Sequence, residues 1–231
     1  MSVSPTALII GASRGLGLAL AGEWLARGWT VLATVRGAGR TALHELADSS
    51  NGRLTVETLE MTDPAAVDAL RDRLSRRALD LLFVNAAVAN GASERVDRVT
   101  TEEFSRVMVT NALAPMRIVE RLGGLVRPDG TIAVMSSSLG SVALNETGGW
   151  EVYRASKAAL NMLMRSYAAR HAGDRHSLAL VDPGWVRTDM GGAEASLDTG
   201  ESIPGVADAL EARRGRPGLQ FFDYRGETVP W

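Results

Sequence analysis

The chain of 231 residues lacks cysteine, which excludes disulfides, thiolate metal ligands and cysteine nucleophiles. Its net charge is only −2 and no block of Lys and Arg occurs, so nothing indicates a nucleic-acid or anionic-membrane partner. No apolar run approaches the length of a membrane span, and Met1–Pro5 lacks the basic-then-apolar layout of a signal peptide. We therefore expect a cytoplasmic protein with no nucleic-acid and no membrane partner.

Histidine is also scarce, with three residues in the chain. His44, His171 and His176 are scattered without metal-ligand spacing or a matching carboxylate cluster. No metal site is therefore expected.

Lysine is the rarest basic residue, since Lys157 is the only one among 25 Lys and Arg. A site that keeps Lys should need a compact ammonium, which the guanidinium fork cannot replace. Lys157 follows Tyr153 by four residues, so on a helix the two side chains share one face. A cation beside a phenol lowers its pKa from about 10 and makes it a general acid or base. The same spacing also occurs on ordinary surface helices, so other residues must support this interpretation.

Short apolar runs alternate with longer helical patterns along the whole chain. The runs predict strands near residues 7–10, 30–35, 54–59, 80–84, 131–135, 177–181 and 219–222. The helical patterns predict helices near 18–27, 39–49, 64–77, 101–122, 152–172 and 203–213. Such apolar strands separated by helices are typical of a parallel sheet covered on both faces. With no repeat or linker, residues 1–231 are predicted to form a single α/β domain, a doubly wound parallel sheet of about seven strands with helices on both faces.

A glycine-rich turn joins the first strand to the first helix, with the spacing Gly11-x-x-x-Gly15-x-Gly17. Glycines there allow a sharp turn and a close approach of a pyrophosphate, which the free N–H groups of the helix N-terminus would bind. A tight strand-to-helix turn without a ligand is the alternative. The strand before and the helix after favour a dinucleotide.

Two arginines indicate which dinucleotide. The second strand ends in Val35-Arg36, where NAD-binding proteins usually place a carboxylate, and Arg14 lies within the glycine turn. Two guanidiniums without a competing carboxylate suit a 2′-phosphate. NADP is therefore the expected cofactor, and NAD is less favoured.

Several motifs occur together in a fixed order: the glycine turn, Asn85-Ala86, Asn111, the serines 136–138, Tyr153 with Lys157, and Pro183-Gly184. In these the chain resembles the short-chain dehydrogenase/reductase family, in its compact single-domain branch, over nearly its whole length. The stretch 138–145 and the ending 222–231 look like the sniffer-type carbonyl reductases and C-factor-like proteins. The resemblance implies a Rossmann-type fold.

The resemblance also implies a catalytic group formed by Asn111, Ser137, Tyr153 and Lys157. The serine is open between neighbours, since Gly140 three residues on favours Ser137 and leaves Ser138 as the alternative. By strand alternation only one of the two can face the cleft. Asn111 matches the asparagine that continues a proton relay from the lysine through water. The spacing from serine to tyrosine is longer than usual in the family, which indicates an insertion around 144–150.

The cofactor-binding residues implied by the resemblance are Gly11, Ser13, Arg14, Gly15, Leu16, Gly17, Arg36, Glu60, Met61, Asn85, Ala86, Ala87, Tyr153, Lys157, Pro183, Gly184, Val186 and Thr188. Thr188 matches the position that commonly helps hold the nicotinamide carboxamide. Ala87 replaces a family glycine and adds a methyl near the nicotinamide ribose. Glu60 stands where an aspartate near the adenine is expected.

Taken together, these features predict an oxidoreductase that uses NADPH to reduce a small carbonyl compound (an aldehyde, ketone or quinone) to the alcohol, or the reverse. The alternative is an NADP-binding regulatory or signalling protein with little turnover. A pure sensor needs only the glycine turn, so the complete catalytic group favours the enzyme.

The substrate is expected beyond the carboxyl ends of the strands, between residues 141–150 and 188–205. Contacts with it are expected from Ser138, Trp150 and Trp185. The second segment contains glycines at 191, 192, 200 and 205, which are typical of a movable lid. A small carbonyl or alcohol substrate is the expected partner, and a homodimer and a monomer both remain open.

Overall fold

The computed structural model describes residues 4–91 and 95–231, so part of the N-terminal segment Met1–Pro5 lies outside the described residues. Its strands are β1 Thr6–Ile10, β2 Thr30–Val35, β3 Leu54–Thr58, β4 Leu79–Val84, β5 Val126–Met135, β6 Ser177–Asp182 and β7 Gly218–Asp223. Its α-helices are α1 Gly15–Ala26, α2 Ala42–Asp48, α3 Pro64–Leu74, α4 Thr101–Met108, α5 Ala114–Leu122, α6 Glu151–Arg170 and α7 Thr199–Glu211. In these two ranges no helix is long and apolar enough to cross a membrane.

The described strands form one parallel sheet in the order β3-β2-β1-β4-β5-β6-β7. The chain runs from β1 outward to β3 on one side, then returns to place β4 against the other side of β1. Alternate strand residues enter two buried clusters, so that Leu8 and Leu82 lie on one face and Ile9 and Phe83 on the other. The predicted doubly wound sheet with helices on both faces is confirmed.

The helix predicted over residues 101–122 is helical over that range, but a π-helix at Val109–Leu113 interrupts the α-helix between α4 and α5. Pro115 has no N–H, so it cannot donate the α-helical hydrogen bond to the carbonyl of Asn111. The wider π turn accommodates this missing donor. It also places Asn111, which is completely buried, on the side of the helix that faces the sheet edge.

Part of the segment predicted as a lid belongs to a helix. The helix α7 begins at Thr199, where the Asp198 carboxylate accepts from the Glu201 N–H (2.9 Å) and the Glu201 carboxylate accepts from the Asp198 N–H (2.8 Å). A Cβ on Gly205 would lie 2.4 Å from the Tyr224 carbonyl oxygen, and one on Gly191 would lie 2.0 Å from that of Val186. These two glycines therefore permit close packing, and the expectation that they mark a movable loop is not needed to explain them.

Candidate active site

The residues singled out by the sequence converge on the carboxyl edge of the sheet. The glycine turn follows β1, Asn85 follows β4, the serines follow β5, and Pro183 follows β6. Because β1 and β4 are neighbours whose connections run in opposite directions, this edge is where a doubly wound sheet forms its ligand crevice. The helix α6 brings Tyr153 and Lys157 to the same edge.

Lys157 and Tyr153 share one face of α6, and the ammonium lies 5.7 Å from the centre of the tyrosine ring. The Lys157 Nζ donates a hydrogen bond to the Met135 carbonyl at 2.8 Å, and the side chain is 1% exposed. Removal from water disfavours the charged form and lowers the pKa of Lys157 to about 8. The only lysine is thus a buried ammonium held at the end of β5.

Tyr153 does not have the depressed pKa that its neighbour predicted. Burial raises the pKa of the phenol, the negative charge of Asp182 raises it further, and a hydrogen bond with the Ser137 side chain opposes both. The ammonium of Lys157 donates instead to the Met135 carbonyl. The phenol is therefore protonated at neutral pH, which is the state required to give a proton away.

The two candidate serines face opposite directions, as neighbours in an extended chain must. Ser137 has extended backbone angles (φ −169°, ψ 149°), and its Oγ accepts from the Leu139 N–H at 3.1 Å. Its side chain also bonds Tyr153, whereas the Ser138 side chain bonds Asp182. The structure therefore brings Ser137, and not Ser138, to the phenol.

A glycine is required at position 140 because this loop packs closely on α6. A Cβ there would lie 2.8 Å from the Lys157 Cβ, so any larger residue would push the serine loop away from α6. Asn161 fastens the same loop from the helix, since it accepts from the Ser136 hydroxyl (2.6 Å) and donates to the Gly140 carbonyl (3.2 Å). No motif pointed to Asn161, which is a polar residue on the buried face of α6.

Asn111 uses its whole side-chain amide in structural hydrogen bonds. Its Oδ1 accepts from the Val88 N–H (2.8 Å), and its Nδ2 donates to the Val88 carbonyl (2.7 Å) and to the Ser156 Oγ (3.0 Å). Ser156 in turn donates to the Tyr153 carbonyl at 2.7 Å. Asn111 is thereby linked to the tyrosine through Ser156, a residue that the sequence reasoning missed.

The glycine turn is shaped by contacts with β4 as well as by its conformation. A Cβ on Gly11 would lie 2.5 Å from the Ala86 Cβ, and one on Gly17 would lie 2.1 Å from the Gly11 carbonyl oxygen. The Asn85 Nδ2 donates to that same carbonyl at 2.8 Å. Gly11 and Gly15 both have a left-handed φ (85° and 55°), and Gly15 lies at the first turn of α1 beside Thr188. Packing accounts for Gly17, packing and conformation together account for Gly11, and Gly15 leaves the helix N-terminus open to a ligand.

Of the charged residues expected near the adenine end, Arg14 and Arg36 are exposed and Glu60 is partly exposed. Arg14 forms an ion pair with Asp189 (Nε to Oδ2, 3.2 Å), in which both side chains are about three-quarters exposed. Such an exposed pair is weak and a phosphate can displace it. The Glu60 carboxylate accepts from the Thr62 N–H (3.0 Å) and hydroxyl (2.7 Å), so it shapes the turn after β3, beside the buried Met61.

The two tryptophans near the site occupy different environments. Trp150 lies 6.0 Å from Tyr153 in an edge-to-face arrangement, and its left-handed φ of 51° follows two left-handed glycines, Gly148 and Gly149. Trp185 is 55% exposed, and its indole N–H donates to the Gly191 carbonyl at 2.8 Å. Trp150 therefore contacts the reactive tyrosine directly, whereas Trp185 covers the loop after β6.

That loop also carries the remaining expected cofactor residues. Val186 is buried and forms an isolated bridge with Leu197, and the Thr188 Oγ1 accepts from the Gly191 N–H at 3.1 Å. Two neighbouring residues of the loop approach the glycine turn: the Thr188 Cγ2 is 3.5 Å from a Cβ built on Gly15, and Asp189 pairs with Arg14. The loop thus closes one end of the crevice.

Residues 5–197 match the family model for short chain dehydrogenases. The chain belongs to this family of oxidoreductases, which act on CH–OH and C=O groups. The predicted family membership is confirmed.

Among proteins that the chain is similar to, C-signal from Myxococcus xanthus is 36% identical over 159 residues, which are 66% of this chain and 93% of that one. A crystal structure from Burkholderia multivorans, described as a short-chain dehydrogenase/reductase with bound NADP, is 54% identical and has a TM-score of 0.98, covering 99% of this chain and 100% of that one. The carbonyl reductase Sniffer of D. melanogaster is 28% identical with a TM-score of 0.88, covering 99% and 100%.

Proposed function

We propose that the protein is an NADPH-dependent reductase of a small carbonyl compound, an aldehyde, ketone or quinone. The observation that carries the proposal is the arrangement of three side chains at one sheet edge: a protonated Tyr153, Ser137 hydrogen-bonded with it, and the buried Lys157 on the same helix face. The bound cofactor supplies the hydride, and the protein supplies geometry and electrostatics.

Each of the three side chains has a distinct role. Tyr153 gives its proton to the carbonyl oxygen as the oxygen gains negative charge. Ser137 donates to the same oxygen, so it polarises the carbonyl and fixes its position. Lys157 holds positive charge beside the phenol as the phenolate forms and then passes a proton to that phenolate. When the cofactor is bound, the same ammonium would also bind its ribose hydroxyls.

Asn111 contributes to the catalytic group through its backbone carbonyl. Its side-chain amide is occupied by Val88 and Ser156. Its carbonyl cannot receive the α-helical bond from Pro115, so we assign it the water that returns a proton toward Lys157. The amide bonds keep that carbonyl in place.

The residues at the crevice fit NADP. The open first turn of α1 at Gly15 and Leu16, preceded by Ser13, would hold the pyrophosphate. The exposed Arg14 and Arg36 would bind the 2′-phosphate, and the Burkholderia structure that resembles this chain contains NADP. Residues Asn85, Ala86, Ala87, Pro183, Gly184, Val186 and Thr188 would line the nicotinamide end.

The substrate site is bounded by Trp150 at the tyrosine and Trp185 on the loop after β6. Aromatic walls with few polar groups suit a modest, partly apolar carbonyl compound. Ser138 is withdrawn from this site, because its hydroxyl bonds Asp182.

The second candidate is a cofactor-binding signalling protein with little turnover, which the 36% identity to C-signal favours. A panel of aldehydes, ketones and quinones, incubated with NADPH, separates the two functions. Tight NADPH binding without oxidation by any member would support the signalling protein.

The decisive variant for the reductase is Tyr153→Phe, which should lower kcat by about 10²–10⁴-fold because it removes the general acid. Tyr167→Phe is the matched control, since it deletes the same atom from the same helix away from the site. Full turnover by Tyr153→Phe on a verified substrate would end the assignment.

A further inference from the structure

The strand β6 ends in a buried carboxylate, Asp182, that is 7% exposed. It accepts hydrogen bonds from the Gly184 N–H (3.2 Å), from the Ser138 N–H and from the Ser138 hydroxyl. One side chain thus joins the serine loop after β5 to the turn after β6. No sequence motif pointed to this residue.

Among the described residues, the groups that act on Asp182 are hydrogen-bond donors and a second carboxylate rather than cations. Asp223 lies in register beside it on β7 and is itself bonded to Arg225. Tyr153 faces it from α6, and the helix α7 contributes Ser202, which donates to the Pro183 carbonyl at 2.7 Å. Burial first and Asp223 as well raise the pKa of Asp182, while the three donors oppose this shift. A buried carboxylate is costly, so it is retained where its hydrogen bonds are needed.

The hydrogen bonds of Asp182 settle which serine faces the phenol. Because neighbouring side chains of an extended chain point in opposite directions, holding Ser138 toward β6 turns Ser137 toward α6. The bond to Gly184 also fixes the turn whose Pro183 and Gly184 border the crevice. Without Asp182 both the serine loop and this turn would lose their common anchor.

We propose that Asp182 is a positioning residue, which binds Ser138 and Gly184 and thereby orients Ser137 and the Pro183-Gly184 turn toward Tyr153. The proposal rests on the proposed reductase function, and its structural part can be measured without a substrate. Its negative charge also lies near the phenol and favours the protonated tyrosine.

Hydrogen exchange of the cofactor-free protein tests the anchoring. In Asp182→Ala, the amides of Ser138 and Gly184 should exchange faster than in the unchanged protein, while those of β1 and β2 keep their protection. Asp80→Asn is the control. Asp80 is an equally buried carboxylate near the amino end of β4, at the sheet edge opposite Asp182. Its substitution should leave the exchange of both amides unchanged. Unchanged exchange at both amides in a folded Asp182→Ala protein would overturn the proposal.

Kinetics on a verified substrate test the link to Ser137. Asp182→Ala should lower kcat by about ten- to a hundredfold through misplacement of Ser137, with a smaller change in the KM for NADPH. Ser138→Ala should add little to the Asp182→Ala variant, because both remove the same contact. Effects that simply multiply would show that the two residues act separately and would overturn the proposal.

Asp182→Asn separates charge from position, because an amide keeps an acceptor and a similar shape. It should retain most of the turnover of the unchanged protein. The rate of alcohol oxidation should increase as the Tyr153 phenol loses its proton. In Asp182→Asn this increase should occur at lower pH, because removal of the negative charge lowers the pKa of Tyr153. A purely structural role would leave the pH profile in place. If no substrate is found, the hydrogen-exchange result still tests whether Asp182 anchors the two loops. If Tyr153→Phe keeps full activity, the proposed reductase function fails, and the anchoring role of Asp182 is unaffected.

Discussion

The burial of Lys157 gives a stability prediction that needs no substrate. In the folded cofactor-free protein the pKa of Lys157 falls from 10.5 to about 8, because the ammonium is withdrawn from water. One pKa unit corresponds to about 1.4 kcal/mol, so keeping the ammonium buried costs about 3 kcal/mol at neutral pH. Between pH 8 and 10.5 the unfolded chain binds the proton and the folded chain does not, so stability should rise with pH in this window.

Lys157→Met isolates this effect, since methionine has a similar length and does not titrate. It loses the hydrogen bond to the Met135 carbonyl, which costs about 1–3 kcal/mol at every pH. The free energy of unfolding of each protein should be measured by urea denaturation from pH 7 to 10. From pH 7 to 10 the free energy of unfolding of the unchanged protein should rise relative to that of the variant by about 2.5 kcal/mol. A difference that stays constant over this range would refute a depressed pKa for Lys157.

Two further predictions concern the cofactor and the substrate. Arg36→Ala should weaken NADPH binding by about 10- to 100-fold, because it removes a charged hydrogen bond to the 2′-phosphate. NADH binding should stay unchanged. Equal losses of affinity for both cofactors would contradict a contact between Arg36 and the phosphate. Trp150→Ala should raise the KM for aromatic carbonyl compounds more than for short aliphatic ones, because the ring beside Tyr153 would no longer contact them, and a uniform change across the substrate panel would contradict this role.

Local patterns were sufficient to predict the strands and most helices. The runs 30–35 and 177–181 coincide with β2 and β6 to within a residue, since buried parallel strands are almost continuously apolar. The break at Val109–Leu113 was readable in principle, because Pro115 removes a helical donor, but the apolar periodicity masked it. The start of α7 was missed because its signal is the capping pair Asp198 and Glu201 rather than an apolar face.

Sequence motifs predicted which residues lie at the site, but they did not predict which contacts those residues make. The alternation of side chains along a strand predicted that only one of the two serines would face the cleft. In the structure Ser138 bonds Asp182 at the end of β6, and Ser137 bonds Tyr153. Charge pairing predicted a lowered phenol pKa, and the structure gives a raised one. Desolvation depends on how many atoms surround a group, which sequence spacing does not report.

The sequence by itself determined the order of strands and helices, the glycine turn, and the shared face of Tyr153 and Lys157, because these depend on residues close together in the chain. The tertiary structure decided the environment of each group. The Met135 carbonyl accepts a hydrogen bond from the Lys157 ammonium, 22 residues away in the chain. The negative charge of Asp182, at the end of β6, raises the pKa of the Tyr153 phenol on α6. Such contacts arise only when the strands are assembled side by side, since the sheet brings distant strand ends to one edge.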